Sequence, residues 1–180
     1  MRSGFKILDY LDMIVARTVP CFLQQGEHFP LPESGGGQMA FVVSGVLRNY
    51  VVDETGRESV ILLPAEGAFI SSLKKGSVDI HRKEALTNVV LLTWRLEDFE
   101  EFVKIIPHWY ALSMLTMKET IDHILIERGA MLSLDATTRY RKFVERYPTI
   151  VERVQLRHVA SYLGIAPQSL SRIRKQLGKR

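Results

Sequence analysis

The side chains best suited to chemistry are concentrated at the C-terminal end of the chain. The last 28 residues, Arg153–Arg180, hold seven basic residues and no acidic residue, whereas the other 152 residues hold 17 basic residues and all 20 acidic ones. The tail therefore carries a charge of +7 and the body a charge of −3. A basic segment on an acidic body is typical of proteins that bind a polyanion such as DNA. A basic terminus that is merely solvated has the same charge pattern.

Within this tail, Gln168 and Arg172 lie four residues apart, so they share one face if the segment is helical. Arginine can donate two hydrogen bonds to guanine O6 and N7, and glutamine pairs in the same manner with adenine. Ser169 and Lys175 belong to the same outward set. Four further basic residues suit contacts with backbone phosphates, which position a protein on DNA without reading its sequence. They are Arg157, Arg174, Lys179 and Arg180.

The segment that must position these side chains has the pattern of two short helices joined by a tight turn. Ala160 supplies a small side chain where the helices cross, and Gly164 tolerates the positive φ of the turn. The five positions that must face inward are all apolar: Val159, Leu163, Ile165, Leu170 and Ile173. The pattern predicts a helix-turn-helix. A helical hairpin that packs on another protein surface is the alternative.

A long helix is expected before this motif, over residues 108–132. A heptad seam runs along it, with apolar residues separated by steps of four and three: Tyr110, Met114, Met117, Ile121 and Ile124. Such a seam packs one helix lengthwise against another. A helix lying only on its own domain needs no more than one apolar stripe, and this one has further leucines off the seam. We therefore expect a homodimer that uses these five residues.

The first half of the chain has the pattern of short β-strands. Apolar and β-branched runs at residues 39–50, Ser59–Leu63 and Ala85–Trp94 are separated by turn residues, among them Asp53–Arg57. This alternation predicts a small antiparallel barrel or jelly roll. The expected fold class is α+β, in three parts: an antiparallel jelly roll in residues 1–106, a dimerisation helix in 107–132 and an all-α helix-turn-helix domain in 133–180.

Other kinds of chemistry have little support in the sequence. Cys21 is the single cysteine, and the five histidines show no metal-ligand spacing. No phosphate-binding glycine loop and no nucleophile motif is present, so we expect neither an enzyme nor a cofactor. No apolar run approaches the roughly 20 residues of a membrane helix. The expected location is the cytoplasm, without membrane association.

The β-rich body, the long helix and the terminal motif together resemble the Crp/Fnr family of bacterial transcription regulators. The most specific stretch is VASYLGIAPQSLSRIRKQL, Val159–Leu177, which is similar to short regulators of this family from the Bacteroidetes. The resemblance implies a cyclic-nucleotide-binding-like jelly roll before the helix-turn-helix, with Gln168 and Arg172 in base-reading positions. Val43–Leu47 matches the strand–glycine–strand feature of the family.

Two departures from the family pattern change what the resemblance implies. Nucleotide-binding members carry Gly-Glu after an apolar pair and an arginine about seven residues later, whereas Ser71 and Ser72 follow the apolar pair here and Asp79 aligns with the arginine. An acid at that position would repel a phosphate, so we expect no cAMP binding. Ser71, Ser72 and Arg82 remain candidates for a different ligand pocket. The segment 149–154 is also too short for the β-hairpin of a full wing.

The sequence thus predicts a homodimeric DNA-binding regulator that reads a near-palindromic operator through residues 167–177. Double-stranded DNA and a second copy of the chain are the expected partners, and the resemblance admits RNA polymerase and an unknown small-molecule effector as others. The rival interpretation is a small-molecule sensor whose helical tail docks on a protein partner. A cyclic-nucleotide-dependent activator would need Arg82 or another residue to replace the missing phosphate ligand.

Overall fold

The computed structural model describes residues 10–30, 37–72, 82–106 and 109–178, apart from the side chain of residue 112. Within these ranges, the β-rich half contains one helix and seven strands: α1 (Leu11–Arg17), β1 (Val19–Leu23), β2 (Gln38–Ser44), β3 (Leu47–Val52), β4 (Glu58–Leu62), β5 (Phe69–Ser72), β6 (Arg82–Ala85) and β7 (Val89–Arg95). The helical half follows: α2 (Leu96–Ile105), α3 (Trp109–Ser133), α4 (Ala136–Arg146), α5 (Pro148–Arg153), α6 (Leu156–Tyr162) and α7 (Pro167–Gln176).

The strands form two antiparallel sheets. The larger sheet has the order β1-β7-β2-β5 and the smaller has the order β4-β3-β6. Apolar side chains from both sheets meet in one buried cluster, to which the larger sheet contributes Val42 and Leu91 and the smaller contributes Leu47 and Ala85. We call the two sheets together the barrel. The arrangement confirms the predicted α+β fold with an antiparallel β half.

One strand prediction is wrong. Residues Ala85–Trp94 do not form a single strand, because the chain turns at 86–88 and separates β6 from β7, which belong to different sheets. The Thr87 hydroxyl in this turn accepts a hydrogen bond from the Val46 amide at 2.9 Å. The apolar run conceals the turn because Leu86 is itself buried against the helical half.

Gly45 joins β2 to β3 at a position that only glycine can fill. Its φ is +100°, in the left-handed region. A Cβ placed there would lie 2.5 Å from the Asn88 carbonyl oxygen and 2.8 Å from the Val89 Cα. The close approach of the two turns, 45 and 88, therefore depends on the absence of a side chain.

Helices α1 and α2 cover the outer face of the larger sheet. Trp94, Phe102 and Ile106 are the buried members of this cluster, and Trp109 packs against its edge. The Trp94 indole N–H donates to the Thr18 hydroxyl at 2.8 Å, which ties the sheet to the end of α1. This layer fixes the point from which α3 leaves the barrel.

Helix α3 is 25 residues long, and it contacts its own chain at its start and near its middle. Trp109 stacks edge-on against Phe102, and His123 lies 3.2 Å from the Tyr147 hydroxyl beyond α4. The five residues of the heptad seam, in contrast, are each between 40% and 60% exposed. Among the described residues, no helix is long and apolar enough to cross a membrane.

Helices α4–α7 form a C-terminal module. Asp135 caps α4, since its carboxylate accepts a hydrogen bond from the Thr138 amide at 3.0 Å. Pro148 begins α5, so residues 149–153 are helical, and in the described part of the chain no strand follows α3. Tyr140, Phe143 and Ile150 join one buried cluster with Val159, Leu163 and Leu170 of the helix-turn-helix.

Candidate nucleic-acid interface

The helix-turn-helix lies where the sequence pattern predicts it. Gly164 has a φ of +62° in the turn between α6 and α7. Ala160 is fully buried at the helix crossing, and the five predicted inward residues, at 159, 163, 165, 170 and 173, are all buried. Pro167 occupies the first turn of α7. The local steric pattern therefore fixes how α7 is presented.

The exposed face of α7 carries polar and basic side chains without an acid. Leu170 and Ile173 mark its buried side. At 3.6 residues per turn, Gln168, Arg172 and Lys175 project from the opposite side, and all three are exposed. Ser171 shares the centre of this face, although the predicted set contains Ser169 instead. Ser169 is also exposed but lies at the flank, nearer to the buried side.

The predicted phosphate-contacting residues differ in their surroundings. Arg174 is half-buried at the other flank of α7, and its Nε is buried without a hydrogen bond. Arg157 is exposed, and its side chain lies beside the barrel: its Nε donates to His158 Nε2 at 3.3 Å, and it borders a cleft of about 110 Å³ together with Gln25 and Glu84. Lys179 and Arg180 lie outside the described residues.

The C-terminal module docks on the outer face of the smaller sheet. The Val60 amide at the edge of β4 donates to the Ser161 hydroxyl on α6, at 3.0 Å. Val46, Tyr50 and Leu86 from the barrel join the buried cluster of the module. Sequence analysis missed Ser161, because a serine on a helix surface gives no sign of the strand that it contacts.

A second link joins the module to the barrel through Glu66. The Arg153 guanidinium donates to both carboxylate oxygens of Glu66, at 2.8 and 3.1 Å, and the Gly45 amide donates to the same carboxylate at 2.8 Å. The hydrogen bonds from Arg153 are the main reason that the pKa of Glu66 is lowered to about 2. These residues are 87 positions apart, and no local pattern pairs them.

A group of charged side chains lies beneath α6. Arg48 on β3 is 7% exposed, and its guanidinium donates to Glu84 at 2.9 Å and to Glu58 at 2.6 Å. His158 on α6 is 8% exposed. Burial lowers the pKa of His158, and the charges of Arg48 and Arg157 lower it further.

The candidate ligand-pocket residues are divided between the two sheets. Ser72 ends β5 in the larger sheet, is buried, and pairs with Gln38, while Ser71 beside it is half-buried. Arg82 begins β6 in the smaller sheet, pairs with Tyr50 and is exposed. The structure shows no contact that joins Arg82 to either serine, and Asp79 lies outside the described residues.

Comparison with known proteins identifies solved structures of similar fold. No protein-family model and no curated protein matches the sequence. The structure is similar to FixK2 from Bradyrhizobium japonicum, with a TM-score of 0.76 and 16% identity over 89% of this chain and 84% of that one. A CooA variant from Carboxydothermus hydrogenoformans gives a TM-score of 0.71 at 15% identity, over 98% and 87% of the two chains.

A third solved structure is described as a transcriptional regulator of the Crp/Fnr family from Eubacterium rectale. It has a TM-score of 0.66 and 14% identity, over 93% of this chain and 81% of that one. The matches extend from the barrel through α3 to the C-terminal module, since each includes at least 89% of this chain. The chain therefore has the fold of the Crp/Fnr transcriptional regulators.

Proposed function

We propose that the protein is a DNA-binding transcriptional regulator. The observation that carries the proposal is the exposed face of α7, where Gln168, Arg172 and Lys175 stand together on a helix fixed by the buried contacts of a helix-turn-helix. Helices presented in this way enter the major groove with their N-terminal residues against base edges. Arg172 suits guanine and Gln168 suits adenine, while Ser169, Ser171 and Lys175 border them.

Contacts with the phosphates of the DNA backbone are assigned to the basic residues around this face of α7. Arg174 and Lys175 lie near the C-terminal end of α7, and Lys179 and Arg180 continue the chain beyond it. Their role is to hold the module in register by phosphate contacts, which are sequence-independent and salt-sensitive. Arg157, which is exposed on α6, joins them.

The functional unit is a homodimer joined along α3. Five apolar side chains that are 40–60% exposed form a continuous seam on that helix, and a second copy of the same helix would bury them. A two-fold dimer presents two α7 helices to one duplex. Productive binding then requires helices separated by about one DNA turn, roughly 34–36 Å, and a near-palindromic site.

Control of the regulator is assigned to the barrel, with an effector other than cAMP. Ser71 and Ser72 stand where the nucleotide-binding pattern has Gly-Glu, and neither can replace the carboxylate that holds the ribose. The neighbouring structures are regulators, so RNA polymerase belongs among the proposed partners. The proposed location is the cytoplasm, where the DNA is.

Selection of binders from a random duplex pool, with and without cyclic nucleotides, tests the function. We expect a palindrome with half-site centres about one helical turn apart, recovered equally in both arms. Enrichment that depends on cAMP would contradict the proposed loss of nucleotide binding. A lack of duplex affinity even at low salt would overturn the regulator proposal and favour a sensor that docks on a protein partner.

The variant Arg172→Ala tests the assignment of the reading face. It should weaken binding to the selected site about 5- to 150-fold, which corresponds to about 1–3 kcal/mol, and relax the preference at one base position. Arg57→Ala is the matched control, because Arg57 is an exposed arginine in the turn between β3 and β4. Equal affinities of the two variants for the selected site would show that α7 does not read the bases as assigned.

A further inference from the structure

The buried interface between the barrel and α6 contains several charged side chains. Arg48, Glu58 and Glu84 project from three adjacent strands, β3, β4 and β6, of the smaller sheet. Arg157 and His158 approach them from α6, and the small cleft of about 110 Å³ is lined by Glu84, Arg157 and His158. Ionisable groups held this closely at a junction make docking sensitive to their protonation.

The hydrogen bonding of His158 favours its neutral form. Its Nε2 accepts a hydrogen bond from Arg157 Nε at 3.3 Å. A guanidinium has only donors, so this contact uses the lone pair that a neutral imidazole keeps on Nε2. A second proton would occupy Nε2 and remove this hydrogen bond. It would also place a positively charged imidazole beside the Arg157 guanidinium.

Docking adds burial and the nearby Arg48 to the influences that oppose a charged His158, whereas Arg157 accompanies His158 on α6 in either arrangement. Burial is the largest influence on its pKa, followed by the cations Arg48 on β3 and Arg157 on α6. Glu84 on β6 and Glu58 on β4 act in the opposite sense, but both are engaged by the Arg48 guanidinium. Separation of α6 from the sheet would return His158 to water, where histidine titrates near pH 6.5.

We propose that docking of the C-terminal module on the barrel is linked to protons through His158, so that acidification weakens the interface. This inference goes beyond the proposed function, because it concerns the docking of two parts of the chain and does not require DNA. Above about pH 6.5 the imidazole is neutral in both arrangements and docking has its full strength. As the pH falls below 6.5, the undocked arrangement gains a proton that the docked one refuses, and the docking constant falls by up to tenfold per pH unit.

Hydrogen exchange of the Val60 amide measures this equilibrium, because that N–H donates to Ser161 across the interface. After correction for the intrinsic exchange rate, its protection should be nearly constant between pH 7.5 and 6.5 and should fall by up to about tenfold between pH 6.5 and 5.5. Protection of the Leu91 amide, in the middle of the larger sheet, should stay constant and serves as the internal reference. A constant protection of Val60 over this range would overturn the proposal.

Histidine variants identify the responsible group. His158→Gln should abolish the pH dependence at Val60. His123→Gln should retain it, since His123 contacts Tyr147 from the middle of α3, away from the sheet. A pH dependence that persists in His158→Gln would refute the assignment.

A reciprocal measurement remains decisive if His158→Gln does not fold. Ser161→Ala removes the hydroxyl that accepts from Val60 and thereby weakens docking. Because linkage acts in both directions, the pKa of His158 measured by imidazole NMR should be below 6.5 in the unmodified protein and should rise towards 6.5 in Ser161→Ala. An identical His158 pKa in the two proteins would show that docking and protonation are independent.

Discussion

Substitution of Gly45 by alanine should destabilise the barrel by about 2–6 kcal/mol. The positive φ of +100° costs an L-residue about 1–3 kcal/mol. The new Cβ would also lie 2.5 Å from the Asn88 carbonyl oxygen and 2.8 Å from the Val89 Cα, both of which are backbone atoms. Relief of that contact requires the turns at 45 and 88 to separate, which adds roughly 1–3 kcal/mol of lost packing.

Gly56→Ala provides the matched control. Gly56 has a similar φ of +81°, but a Cβ there meets no atom within 4 Å, so the variant should lose only the conformational term. Both alanines reduce the entropy of the unfolded chain equally, and this effect cancels in the comparison. Urea unfolding of the two variants measures the difference. If Gly45→Ala is no less stable than Gly56→Ala, the close approach of the two turns is not what restricts this position.

Two further predictions concern the surfaces that join parts of the molecule. Ile121→Glu, on the seam of α3, should convert the dimer to monomer in sedimentation experiments. Leu115→Glu, at a similarly exposed leucine off the seam, should leave the dimer intact. Dissociation of both variants would refute the assignment of the dimer interface to the seam. Glu66→Gln should cost about 1 kcal/mol at pH 6, a value limited by solvent screening because the Glu66 side chain is 41% exposed. The pKa of Glu66 is lowered from 4.5 to about 2, so this contribution to stability should be complete above pH 4.5 and should disappear as the pH falls to 2. If the stabilities of Glu66→Gln and the unmodified protein differ by the same amount throughout acid denaturation, the link to Arg153 is contradicted.

The parts of the fold that sequence reasoning predicts correctly are those set by local chemistry. Ala160, Gly164 and the apolar residues around them satisfy the steric requirements of two crossing helices, and these requirements hold over only 15 residues. The hairpin of β3 and β4 is local in the same sense, since the Asp53 amide and the Arg57 carbonyl close its turn at 3.0 Å.

Three elements escape the same reasoning for physical reasons. Strand β1 contains Pro20, which lowers its strand signal and is tolerated because β1 is an edge strand. Helix α5 begins at Pro148, although a proline after a helical segment, such as α4 here, commonly indicates only that the helix ends. The division of 85–94 into β6 and β7 depends on Val46 and Thr87 meeting across the barrel.

Sequence reasoning about the candidate nucleic-acid interface is limited in the same manner, because it captures local spacing and not tertiary contacts. The exposure of Gln168, Arg172 and Lys175 follows from the helical period alone. The position of Arg157 beside Glu84 of the barrel follows instead from docking of α6 on the smaller sheet, which no spacing within α6 reveals. Charge patterning identifies which residues are basic, but tertiary contacts decide which groups surround them.

The hydrogen bond between Ser161 and Val60 also has a consequence for solubility. β4 is an edge strand, and the unpaired backbone groups of an exposed edge recruit strands from other molecules into aggregates. Here a helix covers that edge and its hydroxyl satisfies one of the edge amides. Any condition that separates α6 from β4 therefore uncovers a template for intermolecular pairing. Mildly acidic storage should favour precipitation through this strand, and a lysine at the exposed Ile61 should suppress it.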